Sequence, residues 1–204
     1  MPTLHRIARA LALLTTLTLA AAQAQTYPTK PIRVVVPFAA GSGTDVMTRV
    51  LMDDVNKGLG VPMVIDNKPG ANGSVAAELV ARALPDGYTL LLGTSSAHSA
   101  NPWLFKKLGY APIRDFTPIA RTTNFPFVLA VSAASVVKTV PEFLDWVRGS
   151  AQRNMGYGNA TGQVAGAHLM VAGGFKAASV PYRSTPPALV DLVGGQFDFM
   201  FVDI

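Results

Sequence analysis

Short apolar, β-branched runs alternate with helix-period segments along most of this chain, and that alternation narrows its possible folds more than any other feature. Ile32–Val36 (Ile-Arg-Val-Val-Val) reads as a buried strand. Val46, Val50, Leu51, Val55 and Leu59 then recur on one helical face, and Gly60 stops the helix. Further strands are expected at 64–66, 88–92, Phe127–Val131, 155–157, 179–182 and 197–201. Helices are expected between them. One is capped by Ser74, one is opened by Thr139 and Pro141, one carries His168 and Leu169, and one spans 187–193 before Gly194 and Gly195. This order predicts an α/β fold with largely parallel sheets. Right-handed crossovers place the loops that follow the strands along one sheet edge.

Three of those loops, 39–45, 93–101 and 158–163, share one character. Each follows a strand and is rich in glycine, serine, threonine or asparagine. Turn chemistry explains any one of them; three at one edge are read as a ligand cleft. Pro37-Phe38-Ala39-Ala40-Gly41-Ser42-Gly43-Thr44-Asp45 carries the most information. It joins a strand to a helix start, where free amides and the helix dipole form a site for a carboxylate or phosphate. The loop has no lysine, the GxxxxGK[ST] pattern is absent, and so is the third glycine of a dinucleotide loop. Small carboxylates are therefore the expected ligands. Asp45 is read as a favourable charge or cap at the helix start, with ligand contact as the alternative. The segment 66–73, rich in turn residues, is expected to shape and place the next helix start.

Several chemistries are disfavoured. The chain has no cysteine, which excludes disulfides, thiolate metal sites and a cysteine nucleophile. His98 and His168 are the only histidines beyond residue 24 and lie in no HExxH pattern, so no metal and no cofactor are expected. GxSxG is also absent, leaving His98 beside Ser95 and Ser96 as the sole catalytic-looking group. An enzyme is not expected; a soluble hydrolase is the third-ranked reading.

His5, Arg6 and Arg9, an apolar run over 10–22 and Ala22-Gln23-Ala24 read as a signal peptide over 1–24, implying a periplasmic protein. The run is shorter than the ~20 apolar residues a membrane span needs. The net charge is +5; the leader holds two of the 17 basic residues and none of the 12 acids, leaving 15 against 12, or +3. The cations are scattered, so no nucleic-acid partner is expected.

Several motifs resemble one family. Pro37-Phe38-x-x-Gly41-Ser42-x-x-Asp45-x-x-x-Arg49, Asp66-Asn67-Lys68-Pro69-Gly70-Ala71-x-Gly73, Pro85-Asp86-Gly87-Tyr88-Thr89-Leu90, Phe116-Thr117-Pro118-Ile119-Ala120 and Val180-Pro181-Tyr182-Arg183 stand in order from about Tyr27 onward. Together they are similar to the substrate-binding proteins of tripartite tricarboxylate transporters, the Bug or TctC-like family. The resemblance implies a two-lobed periplasmic-binding-protein fold (type II), with a first lobe over 25–124 and a partial second lobe over 125–204. It implies a small carboxylate ligand held between the lobes, membrane transporter subunits as partners, and a monomer. It also implies ligand contacts from Phe38, Ala40, Gly41, Ser42, Thr44, Ser95, Ser96, His98, Asn159, Ala160, Thr161 and Gly162, with Asp203 as a further candidate. A periplasmic receptor subunit serving a signalling partner is the alternative role.

The chain departs from the family pattern in places. Ser42 stands where a second glycine is usual, residues 159–168 are one longer, a glutamate is missing near Ala172, and 175–180 is short. Family members continue well past the strand that Ile204 follows. The chain thus resembles a truncated or degenerate, non-functional member, or a fragment, in which faces carrying Val50, Leu51, Val55, Leu189 and Val193 are expected to lose cover.

Overall fold

The computed structural model describes residues 27–150 and 152–204. The expected leader over 1–24 lies outside the described residues.

Three parallel strands make the first sheet. β1 (Ile32–Val36) is central, flanked by β2 (Met63–Asn67) and β3 (Thr89–Leu91). Val34 pairs with Ile65 on one side and Leu90 on the other. Val34, Val35 and Val36 are buried, as expected for a central parallel strand covered on both faces. The helix α1 (Gly43–Leu59) follows β1 and begins three residues before the apolar periodicity does. Ser42 sets that start, its Oγ accepting the Asp45 amide at 3.3 Å, and Gly60 ends the helix with φ 68°.

The packing face of α1 is not the expected one. Thr44, Asp45 and Thr48 are its buried residues, whereas Val46 and Val50 are 52% and 64% exposed. Asp45 and Thr48 can go inside because each is locally satisfied. Thr48 Oγ1 donates to Thr44 O at 2.6 Å, and Asp45 accepts several bonds.

The turn-rich segment before α2 (Ser74–Ala81) places that helix as expected. Gly70, Ala71, Asn72 and Gly73 all have positive φ, and Gly73 rather than Ser74 is the cap residue. Ser74 Oγ instead accepts from Asn101 Nδ2 at 2.9 Å. After β3 the chain does not form an open loop. A π-helical turn over Ser96–Ala100 runs straight into the short helix α3 (Asn101–Leu104). The buried Asn101 anchors it, donating also to Asn72 O at 3.1 Å.

The second lobe contains β4 (Phe127–Val131), α4 (Val140–Arg148), β5 (Asn154–Tyr157), α5 (Ala160–Gly173), β6 (Ala178–Pro181), α6 (Thr185–Val193) and β7 (Phe199–Asp203). Its strand order is β4-β7-β5-β6, with only the β4–β7 pair antiparallel. Phe143, Phe175 and Phe199 meet edge-on, with ring centroids 5.1 to 6.1 Å apart, around Met155 and Val147. Gly166 leaves no room for a Cβ against Met155, so α5 sits close on β5. β7 lies two residues later than expected. The turn after α6 absorbs them, with Gln196 N bonded to Asp191 O and Asp198 N to Asn154 O. The fold is α/β and two-lobed with predominantly parallel pairing. Among the described residues no helix is long and apolar enough to cross a membrane.

Candidate functional site

The first loop is built around Asp45. This side chain is 2% exposed. Its Oδ2 accepts from the Gly41 amide at 2.9 Å and Arg49 Nε at 3.0 Å, while Oδ1 accepts from Arg49 Nη2 at 3.0 Å and Asn67 Nδ2 at 2.9 Å. Burial works against the charge, but the Arg49, Gly41 and Asn67 bonds win and hold the carboxyl below its ordinary value. Asn67 Nδ2 also donates to Phe38 O at 2.9 Å, tying the end of β2 to the loop. Asp45 is thus a structural anchor. It consumes the Gly41 amide, and Ser42 Oγ consumes that of Asp45 itself. The helix start then presents the Gly43 and Thr44 amides, which have no intrahelical acceptor.

A second helix start faces the first. Asn159 caps α5, its Oδ1 accepting the Gly162 amide at 2.8 Å. Because α5 begins at Ala160, most of the expected third loop is the first turn of this helix. The lobes touch here. Ser95 Oγ lies 2.9 Å from Thr161 Oγ1, and Ser96 Oγ accepts the Thr161 amide at 3.3 Å. Between the lobes lies a cavity of about 300 Å³. Phe38, Thr44, Ser95, Ser96, Asn159, Thr161 and Asp203 line it. At this size the cavity matches the small end of ligand pockets.

The other sequence candidates are not part of this lining. Gly41 has φ 80° and its amide is spent on Asp45. Ser42 is the buried cap. Ala160 and Gly162 form the first turn of α5, where a Cβ on Gly162 would meet Phe201 O at 2.9 Å. His98 Nδ1 is 2.8 Å from Pro112 O, and its ring stands edge-on to Phe116. Ala40 precedes the positive-φ Gly41 and is exposed.

The connection between the lobes was missed. Arg121, Thr122, Thr123, Asn124 and Phe125 all line the cavity, as do Met47, Leu92 and Phe127. The segment has no periodicity, so nothing marked it as structured. One signal was there to find: Arg121 is the only basic residue between Asp115 and Lys138, and three polar residues follow it directly. Among the described residues no cluster of three metal-ligating side chains occurs.

Residues 47–204 match the family described as "Tripartite tricarboxylate transporter family receptor", TctC. The chain belongs to this family. This TctC-family chain is 38% identical over 189 residues to a UPF0065 protein of Bordetella bronchiseptica, a match covering 88% of the chain and 54% of the relative. It spans about half the length of the curated relatives it matches. Among solved structures it resembles Rpa4515 of R. palustris with adipate (TM-score 0.84, 30% identity) and MatC of Rhodopseudomonas palustris with bound malate (TM-score 0.82, 36% identity). Each of these matches covers 87% of this chain, and 60% and 61% of the other chain respectively.

Proposed function

We propose that this chain is an extracytoplasmic solute-binding protein. It captures a small carboxylate between lobes spanning 25–124 and 125–204 and hands it to the membrane subunits of a tripartite tricarboxylate transporter. In this reading residues 1–24 direct export to the periplasm and the protein acts as a monomer without catalysis.

One observation carries the reading: two helix starts, at Thr44 and Thr161, line a single cavity of about 300 Å³. Aligned peptide dipoles favour an anion at each start, and at α1 the Gly43 and Thr44 amides have no intrahelical acceptor. A small dicarboxylate has a charged group for each. The hydroxyls of Ser95, Ser96 and Thr161 supply further donors, and Phe38 supplies an apolar wall. Family membership and the carboxylates named with Rpa4515 and MatC support the same ligand class. All the described lining comes from residues 38–203.

The test is a thermal-shift titration with malate and adipate, each set beside its dimethyl ester. A ligand at a hundredfold its dissociation constant is expected to add about 2.7 kcal/mol of stability. The acids should raise the melting temperature and the esters should not. Equal shifts from acid and ester would remove the basis for an anion site.

A further inference from the structure

We infer that Asp203 selects a carboxylate ligand that also carries a hydrogen-bond donor, an ammonium or a hydroxyl, over the same acid without one. The inference rests on the carboxylate-binding reading above and sharpens its ligand class.

Asp203 ends β7 and faces the cavity. Its Oδ1 is occupied, accepting from Thr185 Oγ1 at 2.9 Å and Asn159 Nδ2 at 3.3 Å. Its Oδ2 crosses toward the opposite lobe, where a Cβ placed on Gly43 would lie 3.3 Å from it. Gly43 is the first residue of α1, and Asn159 caps α5. The carboxylate therefore stands between the two helix starts that face the cavity. Among the described residues no lysine, arginine or histidine forms an ion pair with it.

A lone carboxylate in an anion-binding cleft has a definite effect. An ionised oxygen accepts about two hydrogen bonds, so Oδ2 keeps capacity for a donor. A plain dicarboxylate brings only negative charge and acceptors to it, and is repelled. An acid with a hydroxyl or ammonium beside its carboxylate brings a donor to the place where the donor is needed. A site built to hydrogen-bond a substituent rejects the analogue that lacks it, because the protein group is then left unpaired. The Asn159 and Thr185 bonds fix the Asp203 carboxylate in the orientation this discrimination needs.

The probes are succinate, malate and aspartate, which share a four-carbon dicarboxylate and differ at one substituent. Binding of each is measured by calorimetry to the wild type, Asp203→Ala and Asp203→Asn, with circular dichroism to show that each is folded. The wild type is expected to favour malate and aspartate over succinate by about tenfold or more, the scale of a hydrogen bond to a charged group. Asp203→Ala should bind succinate more tightly and the other two less tightly, collapsing that ratio. Asp203→Asn keeps an oxygen for Asn159 and Thr185 and presents an NH2 group where Oδ2 was. It should lose the preference for aspartate, and it decides the matter if the alanine variant does not fold. A wild type that binds all three acids equally, or variants that keep the preference, would overturn the assignment of Asp203 alone. Failure of the folded wild type to bind any of the three would overturn the carboxylate reading together with this inference.

Discussion

Asp45 does more for the site than any residue that lines it. Its carboxylate joins the Gly41 amide, Arg49 and Asn67, so the first loop, α1 and the end of β2 share one anchor. Replacing Asp45 with alanine strands these donors and should cost roughly 2–3 kcal/mol, the scale of hydrogen bonds to a charged group; urea unfolding reads it directly. The acid limb of stability should show the same residue. The folded carboxyl lies below the ordinary aspartate value of 3.8. Its contribution is therefore complete above about pH 4 and is lost as the pH falls through the lower folded value. Asp66 adds to the same limb: burial opposes its charge, but hydrogen bonds from Arg33 and Lys68 hold it low too. Asp45→Asn should shrink the stability difference between pH 6 and pH 3, and an unchanged difference would argue against this anchor. Gly41 acts through its backbone: a Cβ there meets nothing within 4 Å, so a larger residue would be felt as strain at its φ of 80°.

At the scale of elements, the strand signals were the clearest. β1 and β4 lie where their apolar runs place them: β1 is buried at the centre of a parallel sheet, and β4 is an edge strand paired antiparallel with β7. Helix starts were harder to place. Ser42 and Asn159 cap α1 and α5 with side-chain oxygens, so each helix reaches back into what composition reads as a loop. The inward face of α1 was illegible because periodicity weighs only apolar residues, and here Asp45 and Thr48 are buried through local hydrogen bonds. The π-helical turn at Ser96–Ala100 depends on Asn101 reaching Asn72 and Ser74, contacts distant in sequence. Of the candidate site, the three loops were legible and the lobe connection at Arg121–Phe125 was not. The two loops from opposite lobes meet at Ser95 and Thr161, where the hydroxyls are 2.9 Å apart. In a chain without cysteine, Ser95→Cys with Thr161→Cys makes a clean reporter of that contact. Mild oxidation should link the pair and carboxylate binding should speed the linkage. A pair that stays reduced under oxidant would contradict lobe contact here.

At the scale of the whole molecule, Val50 on α1 and Val193 on α6 are 64% and 76% exposed, whereas Leu51, Val55 and Leu189 are partly buried. The buried clusters around Phe143 and Phe199, and around Ala188 and Met200, lie elsewhere, as does the cavity lining. The exposed valines therefore bear on stability and association more than on the binding surface. The central claim is that an anion rests on two facing helix starts between the lobes. Amide chemical shifts of the nitrogen-15-labelled protein, followed while malate is added, test it most directly. The account predicts the largest movements at Gly43, Thr44 and Thr161, saturating together with a single dissociation constant. Saturable shifts confined to residues outside the cavity, with these three amides unmoved, would contradict it.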